Sequence, residues 1–230
     1  MLPRVLEPEV MDTADDAADY DAMDHAQVNR RFVDDLLTAV EHHGKNAELL
    51  IRGTWLDVGT GTALIPIELC RCNPGIRVLG IDLAEEMLTL GRRNVETARL
   101  SDAITLSRVD AKDCCHFGEG DFTAVISNTI VHHIPEPVHV WREMLRVLHP
   151  GGLLFVRDLL RPETEAEVEH LVATHAGQEP PQSQQLLRQS LHAALTLDEV
   201  RSMLDPLGIE ADSVQQTSDR HWTVSAMRRG

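Results

Sequence analysis

Aromatic side chains are scarce in this sequence. One Tyr, four Phe and three Trp make up 3% of 230 residues. A pocket walled by several aromatic rings, as a large planar substrate would favour, is therefore not evident. Basic residues are also few. The 21 Lys and Arg face 37 Asp and Glu, for a net charge of −16. Such a surface repels phosphate backbones, and the longest basic runs are the pairs Arg92-Arg93 and Arg228-Arg229. Nucleic acid is not expected as a partner. No apolar run approaches the roughly 20 residues that span a bilayer, so no membrane is expected either. The opening stretch MLPRVLEPEVMDTADDAADY lacks the basic-then-apolar order of a signal peptide. A cytoplasmic protein is the expectation. Cysteines number four: Cys70, Cys72, Cys114 and Cys115. Neither pair has the C-x-x-C spacing of a zinc site, and both are expected to be reduced thiols.

The length suits one domain with a full core. A polar, Asp-rich arm over residues 1–24 precedes a domain over 25–230. Val28, Phe32, Leu36, Leu37 and Val40 recur at helical spacing, which predicts an amphipathic helix over 25–43. Strands and helices then alternate. Strands are expected at Thr54–Val58, Ile76–Ile81, Ala103–Val109, Phe122–Ser127 and Leu153–Arg157. Helices are expected at Thr62–Arg71, Ala84–Leu100 and Pro137–Leu148. This order predicts a doubly wound, mostly parallel α/β sheet covered on both faces. Residues 162–206 read as helical, with a Gln-rich loop at 179–185 and a capping box formed by Thr196 and Glu199. Residues 207–213 and 221–227 read as the last two strands. Trp55 is expected in the core.

The first strand runs into a glycine turn, WLDVGTGTALIPIEL (residues 55–69). The dinucleotide fingerprint G-x-G-x-x-G would need a third glycine at position 64, which is Leu64. Asp57 stands two residues before the first glycine, where it disfavours a pyrophosphate and favours a cationic group. S-adenosylmethionine (SAM), with its amine and sulfonium, matches that preference.

D-V-G-T-G-T-A resembles the first motif of the class I SAM-dependent methyltransferases of the small-molecule type, with Ala63 at the family's third glycine. Asp82 ends the second strand, and Asp110 ends the third in RVDAKD. AVISNTIVHHI (124–134) resembles the fourth motif, and LRVLHPGGLLFVRD (145–158) the helix, turn and strand that follow. Together these cover about residues 30–160.

The resemblance implies a Rossmann-like sheet of seven strands, the last antiparallel, and metal-independent methyl transfer to a small molecule. It implies cofactor contacts from Asp57, Gly59, Thr60, Gly61, Asp82, Leu83, Met87, Asp110, Ala111 and Asn128. His132 and His133 follow the fourth strand, where one imidazole could take a proton from the acceptor. A metal on this pair is not expected, because neighbouring positions diverge and no third ligand is evident. Tyr20, His25 and Asn29 are candidate lid or substrate residues. Arg157 and Asp158 are placed where they could face the acceptor, or alternatively as a surface ion pair. Two other readings are an NAD(P)-dependent oxidoreductase and a non-catalytic SAM-binding protein on the same fold. A homodimer is left open.

Overall fold

The computed structural model describes residues 2–7, 21, 26–42 and 47–229. Helix α1 (Ala26–His42) buries Phe32, Val33, Leu36, Ala39 and Val40, one stripe of its surface. Val28 is instead 48% exposed. The short α2 (Ala47–Arg52) leads into β1 (Thr54–Val58). Then follow α3 (Leu64–Cys72), β2 (Arg77–Asp82), α4 (Glu85–Thr97), β3 (Ile104–Arg108) and β4 (Phe122–Asn128). A 3-10 turn (Val131–His133), α5 (Pro137–Val147) and β5 (Leu148–Leu159) complete the alternation. Helices α6 (Glu165–Ala176), α7 (Pro181–Ala193) and α8 (Leu197–Leu204) precede β6 (Val214–Gln216) and β7 (His221–Met227).

The seven strands lie in the order β3-β2-β1-β4-β5-β7-β6. β1 through β5 pair in parallel, and β7 runs antiparallel to both β5 and β6. Strand order reverses between β1 and β4, so the loops after these strands part there and leave a crevice at the carboxyl edge. β1 and β4 are nearly continuous apolar runs, because both of their faces are covered. On one face α1, α3 and α4 contribute Phe32, Ile67, Leu69 and Val95. On the other, α5 and α8 contribute Trp141, Met144, Val200 and Leu204. Trp55, Trp141 and Trp222 are all fully buried.

Three sequence expectations are corrected. Residues 181–185 belong to α7, because Pro181 stands in its first turn, where a missing N–H costs nothing. Residues 207–213 are not a strand. Gly208 at φ 81° and two 3-10 turns break the extended backbone, and β6 begins only at Val214. β5 runs from Leu148 to Leu159 rather than over 153–157, so Arg157 and Asp158 lie within the sheet and are buried.

The N-terminal segment 2–7 docks beside the 3-10 turn and α7. The Arg4 guanidinium donates to the carbonyls of His132, Ile134, Pro135 and Ala193 at 2.7–3.2 Å. Val5 N donates to His192 O at 3.0 Å. Leu2 packs on the apolar cluster of α6 and α7.

Candidate active site

The turn after β1 is built from left-handed residues. Gly59, Gly61 and Ala63 have φ of 73°, 54° and 63°. A Cβ on Gly59 would stand 2.2 Å from Ile130 Cγ2, so both conformation and space require glycine. Ala63 takes the same left-handed conformation without being a glycine. It does so as a buried residue at the start of α3. The amides of Gly59 and Thr60 both donate to Ile81 O, at 2.9 and 3.0 Å. Asp82 accepts from Gly61 N at 2.8 Å and from Ala84 N at 2.9 Å. The carboxylate at the end of β2 thus pins the glycine turn at the end of β1.

Asp57 lies beneath this turn, 2% exposed. Burial pushes its carboxyl up to about 7, and the Asp82 charge adds to this against a partial offset from the Thr60 hydroxyl. At the end of β3, Asp110 accepts from Lys112 N at 2.9 Å, closing a tight turn, and pairs with Lys112 Nζ at 3.1 Å. The following loop is anchored by Arg146, which donates to the carbonyls of Cys114 and Phe117. At the end of β4, Ser127 Oγ is turned inward to Val58 O at 2.7 Å. Thr129 has φ 56°, an outlier for a β-branched residue and a mark of local strain.

One cavity at the carboxyl edge joins these strand ends. It is lined by Gly59 and Gly61 after β1, and by Asp82, Leu83 and Met87 after β2. Asp110 and Ala111 line it after β3, and Asn128, Thr129, Ile130 and His133 after β4. Asp57 and Thr60 are not in the lining; they sit buried behind the turn.

The two histidines separate in role. His132 is 3% exposed, with Nδ1 2.5 Å from Asp158 Oδ1 and Nε2 3.3 Å from Glu7 Oε1. Burial opposes a charged ring, but Asp158 and Glu7 outweigh it and raise its pKa to about 9. Both of its ring nitrogens face buried carboxylates and the ring is absent from the cavity lining, which corrects the catalytic expectation for His132. His133 does line the cavity. Asp158 is fully buried and organises the 3-10 turn: Oδ2 accepts from Val131 N at 2.6 Å and His132 N at 3.1 Å.

Arg157 is corrected as well. It is buried beneath α1, donating to Asp35 at 2.8 Å and Thr223 Oγ1 at 3.0 Å, with Phe32 and Phe155 against its guanidinium. It is absent from the cavity lining, as is the half-buried Asn29 on α1. Tyr20 and His25 lie outside the described residues. Of the arm's later part only Asp21 is described, and it accepts from Asn94 Nδ2 at 2.9 Å. Sequence reasoning missed Glu7 and the role of Asp158; an acid and a histidine at strand ends were the signal for the second, and nothing pointed to the first.

Residues 56–156 match the family described as "Methyltransferase domain". The 27-O-demethylrifamycin SV methyltransferase of Amycolatopsis mediterranei is 28% identical over 75% of this chain and 61% of that protein. The demethylmenaquinone methyltransferase of Porphyromonas gingivalis is 36% identical over 47% of this chain and 44% of that protein. The chain therefore spans about half the length of the curated relatives it matches. A SAM-dependent methyltransferase from Aquifex aeolicus shares the fold, with a TM-score of 0.64 over 94% of this chain and 98% of that one, at 18% identity. Residues 56–156 thus match a methyltransferase-domain family, and the seven-stranded sheet is a fold this chain shares with a SAM-dependent methyltransferase.

Proposed function

We propose that this protein moves a methyl group from SAM to a small-molecule acceptor. The observation that carries the reading is the cavity that joins four successive strand ends, at the turn of Gly59 and Gly61, at Asp82, at Asp110 and at Asn128. Asp82 would take the ribose hydroxyls, since its carboxylate lines the cavity at the end of β2 and a pair of acceptor oxygens suits a cis-diol. Asp110 and Ala111 would flank the adenine with Met87 and Leu83 against its ring. Gly59, Gly61 and Asn128 would border the methionine part. The buried Asp57 carboxyl, raised to about 7, would be drawn into its charged form by a cation at the turn and not by a pyrophosphate. The names of the two curated relatives are those of methyltransferases acting on small molecules, which supports a small acceptor here.

The reaction is an in-line displacement at the sulfonium methyl. Holding the acceptor atom on the axis of the breaking bond, away from water, supplies most of the rate. His133 and the strained Thr129 stand at the cavity wall beyond Asn128, where the acceptor would enter. Among the described residues no helix is long and apolar enough to cross a membrane, and all four cysteines are free, which fits the reducing cytoplasm.

The test is to incubate the purified chain with methyl-labelled SAM and a small-molecule extract. Labelled product in the small-molecule fraction, abolished by Asp82→Ala, is the expected result. SAM binding without turnover across extracts would favour a non-catalytic SAM-binding protein instead.

A further inference from the structure

The two grounds against a metal at His132 and His133 were divergence of neighbouring side chains and the lack of a third ligand. Neither survives in the fold. The 3-10 turn brings the two rings to a centroid separation of 4.1 Å at 34°. The N-terminal segment then delivers Glu7, whose Oε1 lies 3.3 Å from His132 Nε2 and 3.2 Å from His133 Nδ1. One ligand atom from each of the three residues lies within 4.8 Å of the other two.

We propose that Glu7, His132 and His133 form a binding site for a divalent first-row transition metal, of which zinc is the best match. Two imidazole nitrogens and a carboxylate oxygen are the donor set such ions take. Metal–ligand bonds of about 2.0–2.1 Å in a tetrahedron put ligand atoms about 3.3–3.4 Å apart. The two separations from Glu7 fall beside that value. Independent support comes from Glu7 itself. Its side chain is 8% exposed, and its Oε1 accepts no aligned hydrogen bond. The protonated His132 ring balances this oxygen's charge at 3.3 Å, but something better aligned must satisfy its lone pairs. A cation shared with the two rings would do so.

The surroundings are those of a supported ligand set. Asp158 Oδ1 holds His132 Nδ1 at 2.5 Å, leaving Nε2 toward Glu7. A carboxylate behind a ligating imidazole, fixing its orientation, is the usual outer-shell arrangement of metal-bound histidine. Arg4, through its four carbonyl contacts, keeps the segment that carries Glu7 in place. Binding displaces the ring proton of His132, so one proton leaves for each ion taken up. Three protein ligands leave a fourth position for water or another oxygen ligand. The inference does not depend on the methyltransferase reading, because it rests on a different set of residues apart from His133.

The test uses the full chain without an affinity tag, stripped with a chelator and titrated calorimetrically with zinc chloride. Cobalt(II) absorption serves as a second readout. One equivalent per chain and tetrahedral cobalt bands are expected. Glu7→Gln, which keeps the side-chain volume, and His133→Ala should each remove the bands and weaken binding at least tenfold. Asp158→Asn should weaken it by about 10–100-fold, the usual effect of losing an outer-shell partner. No binding to the stripped chain would overturn the proposal. So would binding unchanged in Glu7→Gln and His133→Ala, since the chain has 12 histidines and the ion would then sit elsewhere.

Discussion

Asp57 shows how one residue can be read from sequence and still act differently in the fold. Its place before the glycines suggested a fixed negative charge; burial instead raises its carboxyl to about 7. A raised carboxyl stabilises the fold most at low pH, and that contribution is lost as pH rises from about 4 toward 7. The full loss is on the order of 4 kcal/mol. His132 loses its own contribution between 6.5 and about 9 as its proton leaves. His221, held down to about 4 by burial, instead gains stability as pH rises to 6.5 and offsets Asp57 there, so the net fall should set in above about pH 6.5. Urea denaturation should show a shallower fall in Asp57→Asn than in the parent chain. Equal slopes would mean Asp57 ionises normally. Gly59→Ala should cost at least about 2 kcal/mol, since it combines a left-handed conformation with a 2.2 Å clash, and should remove SAM binding. Thermal melts and a ligand titration read both. The thiols make a third residue-scale prediction. Burial pushes Cys70 up to about 11 and Cys114 up to about 12. Alkylation of the native protein should reach only Cys72 and Cys115, with the other pair labelled after unfolding.

Elements that depend on nearby residues were legible in the sequence. Thr54–Val58 and His221–Met227 appear at the predicted bounds, and the Thr196–Glu199 capping box is formed. Strand ends near Asp82 and Asn128 could be placed because a short apolar run stops there at a polar residue, while the third strand stops at Arg108, two residues before Asp110. Features set by distant partners were not legible. Glu7 meets His132 across 125 positions of chain, and Arg157 meets Asp35 across 122. Pattern at short range carries no trace of such pairs. Arg157 and Asp158 illustrate the point, since as neighbours on β5 they face opposite sides of the sheet and enter separate buried networks. The 2–7 segment yields the element-scale prediction. Arg4→Ala removes four carbonyl contacts and should free this segment. Amide hydrogen exchange at Val5 should rise at least tenfold while that of β1 and β4 is unchanged. Unaltered protection at Val5 would show that Leu2 and Glu7 suffice to hold it.

For the whole molecule, the order β3-β2-β1-β4-β5-β7-β6 sets where chemistry can occur. The chain crosses over between β1 and β4, and the residues at the carboxyl ends of these strands and their neighbours converge on one cavity. Helices on both faces hold the sheet rigid, with fully buried Trp55 on one side and Trp141 and Trp222 on the other. An acidic exterior repels polyanions, while the cavity places carboxylates where a cationic cofactor with a ribose diol would lie. Calorimetric titration of the purified chain with SAM, with the demethylated product and with NADH tests this most directly. The account predicts saturable binding of SAM and of its product, a loss of at least tenfold in Asp82→Ala, and no response to NADH. Binding of NADH with no heat from SAM would contradict it.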